Sequence, residues 1–207
     1  MSAMPEDRAP VEHFERLARD SADPWDYAGS EYEQEKYRRT LAYLPERVGA
    51  GLELGCSVGV FTAMLAPRCE RLLALDFSPT ALERARERLD GTGNVELRRA
   101  VLPEEMPGGP FAAIVCSEIL YYWSAELVVA GLRGMEAALA PGGTLVAVHW
   151  RPGDPRRQLD GDAVHAILRH EVRLRYVGGE STERFLLESW VLPGGENEAA
   201  GEEGGDG

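Results

Sequence analysis

The chain predicts an α/β fold: a doubly wound, seven-stranded, mainly parallel sheet with an N-terminal helical cap and a C-terminal antiparallel hairpin. Three observations predict it. Short runs that are apolar throughout alternate with helical patterns up to about Trp150, as in strands covered on both faces. The first run ends at Glu53-Leu54 and feeds a glycine turn, Gly55 to Gly59, that opens a helix. The last two runs are joined by a connection too short for a crossover helix, so they should pair antiparallel.

In chain order, a helix is expected from Pro10 to about Ala18 and a second from about Glu31 to Leu44, where Pro45 stops it. Between them, Asp23-Pro24-Trp25-Asp26-Tyr27-Ala28-Gly29-Ser30 is rich in turn formers. Strands follow at Gly51–Leu54, Arg71–Asp76, Val95–Arg99, Phe111–Ser117 and Thr144–Trp150. Helices fill the gaps at Gly59–Ala66, Pro79–Leu89 and Ala125–Leu139. Ser78 before Pro79 reads as a helix cap with proline at the first helical position. Pro141-Gly142-Gly143 should stop the third of these helices and turn the chain into the next strand. After Trp150 come a polar loop, a helix at Asp162–His170, and hairpin strands Arg173–Val177 and Arg184–Leu192, connected through Gly178 to Glu183. The organisation expected is a cap or lid over residues 1–45, the main domain over 46–192, and a disordered tail over 193–207. That tail carries five acids, six glycines and no base, so it has nothing to bury.

Length and charge narrow the class. At 207 residues the chain holds one domain with a sizeable core, and its 44% apolar and 28% charged residues are those of a globular protein. Net charge is −13 and no basic stripe follows any helix, which argues against a nucleic-acid partner. Cys56, Cys69 and Cys116 have no pairing or zinc-binding spacing and fit reduced thiols in a cytoplasm, with no metal site expected. No apolar run reaches membrane-spanning length, and Met1 to Pro10 lacks a signal-peptide core. Lys36 is the only lysine.

The glycine turn and two acids carry the chemistry. Glu53 and Asp76 end consecutive buried runs, so one ligand can lie across both strand ends, beyond the carboxyl edge of the sheet. Gly55 permits a close approach that a side chain would block, and Gly59 lets the helix start pack closely. Asp76 sits where an acid can accept from both ribose hydroxyls. A pyrophosphate cofactor would want glycine at the middle of the turn, where this chain has Ser57. The pattern suits S-adenosyl-L-methionine, which has a carboxylate, an amine and a ribose to hold. Gly55-Cys56-Ser57-Val58-Gly59 also spells the nucleophile elbow of a serine hydrolase, with Glu118 and His149 as partners. That alternative has one strand before the elbow, no oxyanion segment, and no use for Glu53 or Asp76. A non-catalytic protein that keeps the cofactor cradle is the other alternative.

These residues resemble the class I S-adenosylmethionine-dependent methyltransferases with their Rossmann-like fold, and within them the nodulation protein S family of small-molecule methyltransferases. The resemblance rests on Asp23-Pro24-Trp25, Leu52-Glu53-Leu54-Gly55-Cys56, Phe61-Thr62 and Leu65-Ala66-Pro67-Arg68-Cys69. It continues through Ser117-Glu118-Ile119-Leu120-Tyr121-Tyr122 and Leu139-Ala140-Pro141-Gly142-Gly143. It implies that Glu53, Gly55, Cys56, Ser57 and Gly59 surround the methionine moiety, that Asp76 holds the ribose, and that Phe77 packs near the adenine. Where relatives place an acid for the adenine amine, this chain has Val101. The acceptor implied is a nitrogen or oxygen of a small molecule, such as an amino sugar or secondary metabolite.

Ser117 and Glu118 reach the same crevice edge from the fourth strand, Ser117 as a cofactor contact and Glu118 as a base or a capping carboxylate. His149, ending the fifth strand, is a candidate base or a buried structural histidine. Tyr121 and Tyr122 are expected to wall the acceptor pocket, one of them packing in the core. Trp25 and Tyr32 are candidates to cover the methyl, and Arg38 to meet the cofactor carboxylate. Plain packing of the second helix on the sheet is the competing reading for that helix.

Overall fold

The computed structural model describes residues 11–194. The tail therefore lies almost wholly outside the described residues, as do residues 1–10. Two helices come first, α1 (Val11–Asp20) and α2 (Glu31–Ala42). The sheet strands are β1 (Val48–Leu54), β2 (Cys69–Asp76), β3 (Val95–Arg99), β4 (Phe111–Ser117), β5 (Leu139–Trp150), β6 (Arg175–Ser181) and β7 (Phe185–Val191). Helices α3 (Val60–Leu65), α4 (Pro79–Arg88), α5 (Ala125–Ala138) and α6 (Gly161–Glu171) cover it. The spatial order is β3-β2-β1-β4-β5-β7-β6. The first five strands are parallel, while β7 and β6 run antiparallel at one edge. Strand order reverses between β1 and β4, which opens a crevice above their carboxyl ends.

The central strands are apolar throughout because both faces are covered. Leu52, Leu54, Ile114, Cys116, Leu145 and Ala147 face α5 and α6; Val115, Val146, Val148 and Leu187 face α2 and α3 on the other side. Local signals placed the helix starts. The side-chain oxygens of Ser30, Ser78, Ser124 and Asp160 each accept from a backbone N–H in the first turn of α2, α4, α5 and α6.

Most boundaries shift by one to three residues from the sequence reading, β1 for example starting at Val48 rather than Gly51, and two shifts have a clear cause in strand pairing. Gly178 and Gly179 belong to β6 rather than to the hairpin turn, because the register slips between Tyr176 and Gly178 and the pairing continues to Ser181. The turn is then only residues 182–184, closed by Thr182, whose Oγ1 accepts from the Phe185 N–H at 2.9 Å. Leu139 already pairs with Phe111, so β5 begins ahead of Pro141-Gly142-Gly143, and the irregularity is absorbed between Phe111 and Ala113.

Candidate functional site

A cavity with an empty volume of about 990 Å³, open mouth included, lies over the crevice. Ligand pockets are typically up to about 1,000 Å³. Its floor is Gly55, Ser57, Asp76, Phe77 and Ser117; Glu118, Ile119, Tyr122 and Trp123 form one wall, and Ala100, Val101 and Leu102 another. Phe14, Ala18, Trp25 and Tyr27 close it from the N-terminal segment.

The floor is built by the turn after β1. Gly55 and Cys56 N–H groups both donate to the Leu75 carbonyl at 2.8 Å, which pins the turn to β2. Gly55 has φ +75°, and a Cβ there would lie 3.2 Å from Ile119 Cδ1, so a side chain would be strained and would push into the cavity wall. Ser57 also sits at positive φ, +49°. Its N–H donates to Asp76 Oδ2 at 2.9 Å, while Asp76 Oδ1 accepts from the Ser78 N–H at 2.9 Å. Asp76 therefore ties the turn to the start of α4. Burial pushes its carboxyl up, and these N–H donors offset part of that rise.

Glu53 lies beneath the floor rather than on the cavity wall, 3% exposed. Neither its Oε2 nor the Thr62 hydroxyl has a hydrogen-bond partner, so a buried carboxylate with open acceptor capacity stands at the end of β1. Burial pushes Glu53 up to about 7, with a further push from the Asp76 carboxylate. The raised value lies above the unfolded 4.5, so the contribution of Glu53 to stability is fullest below pH 4.5 and is lost as pH rises through about 7, by about 3 kcal/mol in all. Replacing Glu53 with Gln should flatten this part of the urea-denaturation profile between pH 5 and 8. An unchanged pH slope in the variant would remove Glu53 as its source.

Glu118 leaves β4 with φ +58° and is the hub of a buried cluster. Its Oε1 accepts from Lys36 Nζ at 2.7 Å, and its Oε2 accepts from the Tyr121 hydroxyl and from the Trp150 N–H at 3.0 Å. Lys36 also contacts Glu33 Oε2 at 2.7 Å, and its Nζ lies 5.6 Å and 5.8 Å from the Tyr32 and Tyr37 ring centroids. Burial alone would raise Glu118, but the Lys36 ammonium and these donors hold it below the usual carboxylate range. A carboxylate so held is a poor proton acceptor. Glu118 lines the cavity, and these contacts fit the capping carboxylate better than the base.

His149 does not reach the cavity. It is fully buried, absent from the cavity wall, and held neutral because burial and then His165 push its pKa well below the usual histidine range. Arg38 does not meet the cavity either: it is exposed on the outer face of α2 and paired with Glu35 at 3.0 Å. The helical register puts Lys36, two residues earlier, on the inward side. Cys56 packs behind the turn with Ala74 and Leu82. Gly59, at φ +78°, is needed against α4, where a Cβ would meet the Ala85 Cβ at 3.0 Å. Tyr32 lines a second, shallower cleft between α2 and the β6–β7 turn. Of the tyrosine pair, Tyr121 packs in the core and Tyr122 lines the cavity. Ser57 has no histidine beside it: His149 and His165 bond to each other beneath the sheet edge. The serine-hydrolase alternative therefore lacks its partner.

Val101 does line the cavity, and its N–H already donates to Glu105 Oε2 at 2.6 Å, so that backbone donor is taken. The sequence missed the contribution of α1. Phe14 packs edge-on to Tyr122 with centroids 4.7 Å apart, and Glu15 accepts from the hydroxyls of Ser78 and Thr80. Only a strongly amphipathic α1 pointed there. Lys36 was signalled only by being the sole lysine. Among the described residues no group of His, Cys, Asp and Glu is placed to hold a metal ion, and no helix is long and apolar enough to cross a membrane.

The cavity fits S-adenosyl-L-methionine: a glycine cradle after β1, an acid at the end of β2, and aromatic walls, with the Glu53 carboxylate and its open oxygen lying just beneath that floor. Comparisons with known proteins agree. The family model for nodulation protein S (NodS) matches residues 9–172. A nodulation protein S from Bradyrhizobium diazoefficiens is 36% identical over 197 residues, covering 89% of this chain and 94% of that protein. The crystal structure of the N-methyltransferase NodS from Bradyrhizobium japonicum WM9, in complex with S-adenosyl-L-homocysteine, superposes with TM-score 0.79 at 28% identity. That match covers 88% of this chain and 97% of the other. A putative methyltransferase from Pseudomonas syringae is 39% identical, with TM-score 0.69 over 78% of this chain and 99% of its own. The chain belongs to the nodulation protein S family and is an S-adenosylmethionine-dependent methyltransferase.

Proposed function

We propose that this enzyme methylates the nitrogen of a small amine, with an amino sugar as the acceptor to try first. One observation carries the choice of nitrogen over oxygen: among the described residues lining the cavity none is free to act as a base, Asp76 being held by the Ser57 and Ser78 N–H groups. Glu118 is ion-paired, and burial raises the phenols of Tyr27 and Tyr122 above their ordinary range. An amine is nucleophilic once it has lost its proton to water, whereas an alcohol needs a base at the moment of attack. The bound cofactor supplies an electrophilic sulfonium methyl. The protein's part is to bind, orient and exclude water, which can account for about 7–11 kcal/mol of barrier in favourable cases. Trp25, Tyr27, Tyr122 and Trp123 give the cavity an aromatic lining that suits a cationic centre, and the carboxylate of Glu118 adds negative potential. The N-methyltransferase named among the relatives supports the same reading.

In this proposal residues 1–45 serve as the cap, since Phe14, Ala18, Trp25 and Tyr27 all reach the cavity, and residues 46–192 carry the catalytic domain. The three thiols are buried and unpaired, which suits the cytoplasm. The test is a panel of amino sugars, other amines and phenols with methyl-labelled cofactor. Turnover should be confined to amines and should rise with pH through the acceptor's own pKa. Methylation of phenols or alcohols with amines left untouched would overturn the nitrogen assignment. No product from any acceptor alongside tight cofactor binding would favour a non-catalytic role.

A further inference from the structure

Beneath the acceptor side of the cavity runs a buried chain that the reaction, as described, does not use. His149 on β5 accepts from the Leu120 N–H through Nε2 at 3.3 Å, and its Nδ1 lies 3.2 Å from His165 Nε2. His165 Nδ1 lies 2.6 Å from Glu188 Oε2 on β7, and Glu188 Oε1 accepts from Arg169 Nε at 2.6 Å. Both imidazoles are fully buried. Arg169, one turn beyond His165 on α6, is half exposed.

The hydrogen bonds fix every proton. Glu188 can only accept, so His165 carries its proton on Nδ1 and presents a bare Nε2. His149 must then carry its proton on Nδ1 to donate to that nitrogen, which leaves its Nε2 bare for the Leu120 amide. One carboxylate thus sets the tautomer of two rings. The chain ends on a backbone amide, which releases no proton, so it delivers none to the cavity. What it supplies there is an acceptor. Glu118 leaves β4 in a left-handed conformation, and Leu120 opens a 3-10 turn through Tyr122, outside the strand ladders. The turn holds Tyr122 and Trp123 on the cavity wall through N–H bonds to Ile119 and Leu120 at 3.1 Å.

We propose that His149, with its tautomer set by His165 and Glu188, is a positioning residue that fixes the Leu120–Tyr122 turn and so shapes the acceptor wall of the cavity. The inference that acceptor turnover responds rests on the amine reading above; the fixing of the turn does not. Asp76, Ser57 and Gly55 hang on β1 and β2, which the chain does not touch, so cofactor affinity should be spared.

The test compares the full-length wild type with His149→Leu, His149→Gln and His165→Phe. Hydrogen exchange is read at the Leu120 amide, S-adenosylhomocysteine affinity by calorimetry, and kcat and KM with an amine acceptor. In His149→Leu, Leu120 exchange should rise at least tenfold and kcat/KM for the acceptor should fall about tenfold. Cofactor affinity should stay within threefold. His149→Gln, whose amide oxygen can accept, should recover most of both. In wild type, imidazole ¹⁵N shifts should show the Nδ1–H tautomer of His149, the minor form in free histidine, and His165→Phe should lose it. Unchanged Leu120 exchange in His149→Leu would overturn the proposal. So would loss of protection spread through the whole sheet and equal in the Gln variant, or an Nε2–H tautomer in wild type. If no amine is methylated by any variant, the nitrogen assignment fails, while exchange and tautomer still decide the positioning role.

Discussion

Asp76→Asn is expected to weaken S-adenosylhomocysteine binding about 100-fold, which is about 2.8 kcal/mol at 1.4 kcal/mol per decade. In the ligand-free protein the two carboxylate oxygens accept from the Ser57 and Ser78 N–H groups, both at 2.9 Å. An asparagine has one acceptor oxygen, so its NH₂ must face one of those N–H groups. Leaving a buried donor unmade costs about 1–3 kcal/mol, and here the lost bond is also charge-assisted. The bond to Ser57 holds a non-glycine residue at φ +49°, so its loss lets the cradle relax out of shape. In the ribose-holding role proposed for Asp76, the ribose would lose its charged acceptor as well. Calorimetry reads the affinity, and circular dichroism checks that the sheet persists. An affinity within threefold of wild type would show that Asp76 only braces the turn.

Lys36→Met should remove about 3–5 kcal/mol of unfolding free energy at pH 8, the usual cost of breaking a buried pair from one side. Lys36 is 2% exposed and serves both Glu33 and Glu118, so its loss strands two carboxylates. The sign with pH follows from Glu118. In wild type its pKa is depressed, so its stabilising contribution is present above the unfolded 4.5 and is lost only as pH falls through the lower folded value. Without Lys36, burial is unopposed and raises that pKa. A penalty then appears as pH climbs through the raised value, so wild type and variant should diverge between pH 5 and 8. Adding Glu118→Gln should recover much of the loss, since Gln needs no counter-charge. Urea denaturation at both pH values reads the difference. A loss under 1 kcal/mol that does not change with pH would mean the cluster is as well solvated as a surface pair.

Much of the fold was legible because its signals are local. Apolar runs without alternation gave the parallel strands, Ser78-Pro79 gave the start of α4, and the turn after Leu54 gave the crevice. The β6–β7 hairpin was found but its turn was misplaced. Gly178-Gly179 looks like a turn in isolation, yet pairing with β7 holds both residues extended. The site divided along the same line. Gly55, Ser57, Asp76, Phe77 and Ser117 follow from strand ends and lie on the cavity floor. Arg38 was chosen for its charge on a helix whose register turns it to solvent, and His149 for its strand position, which proved to be inside the core.

The cofactor was legible along the chain. Gly55, Ser57 and Asp76, which line the cavity, sit within a few positions of two strand ends, and a strand end is a local feature with a fixed relation to the sheet edge. Which acids are free and which are paired depends on contacts made across the folded chain. Glu118 meets Lys36 across 82 positions, and His165 meets His149 on one side and Glu188 on the other, the three coming from separate elements. A protonation state depends on burial and on neighbours in space, and neither is written in spacing along the chain.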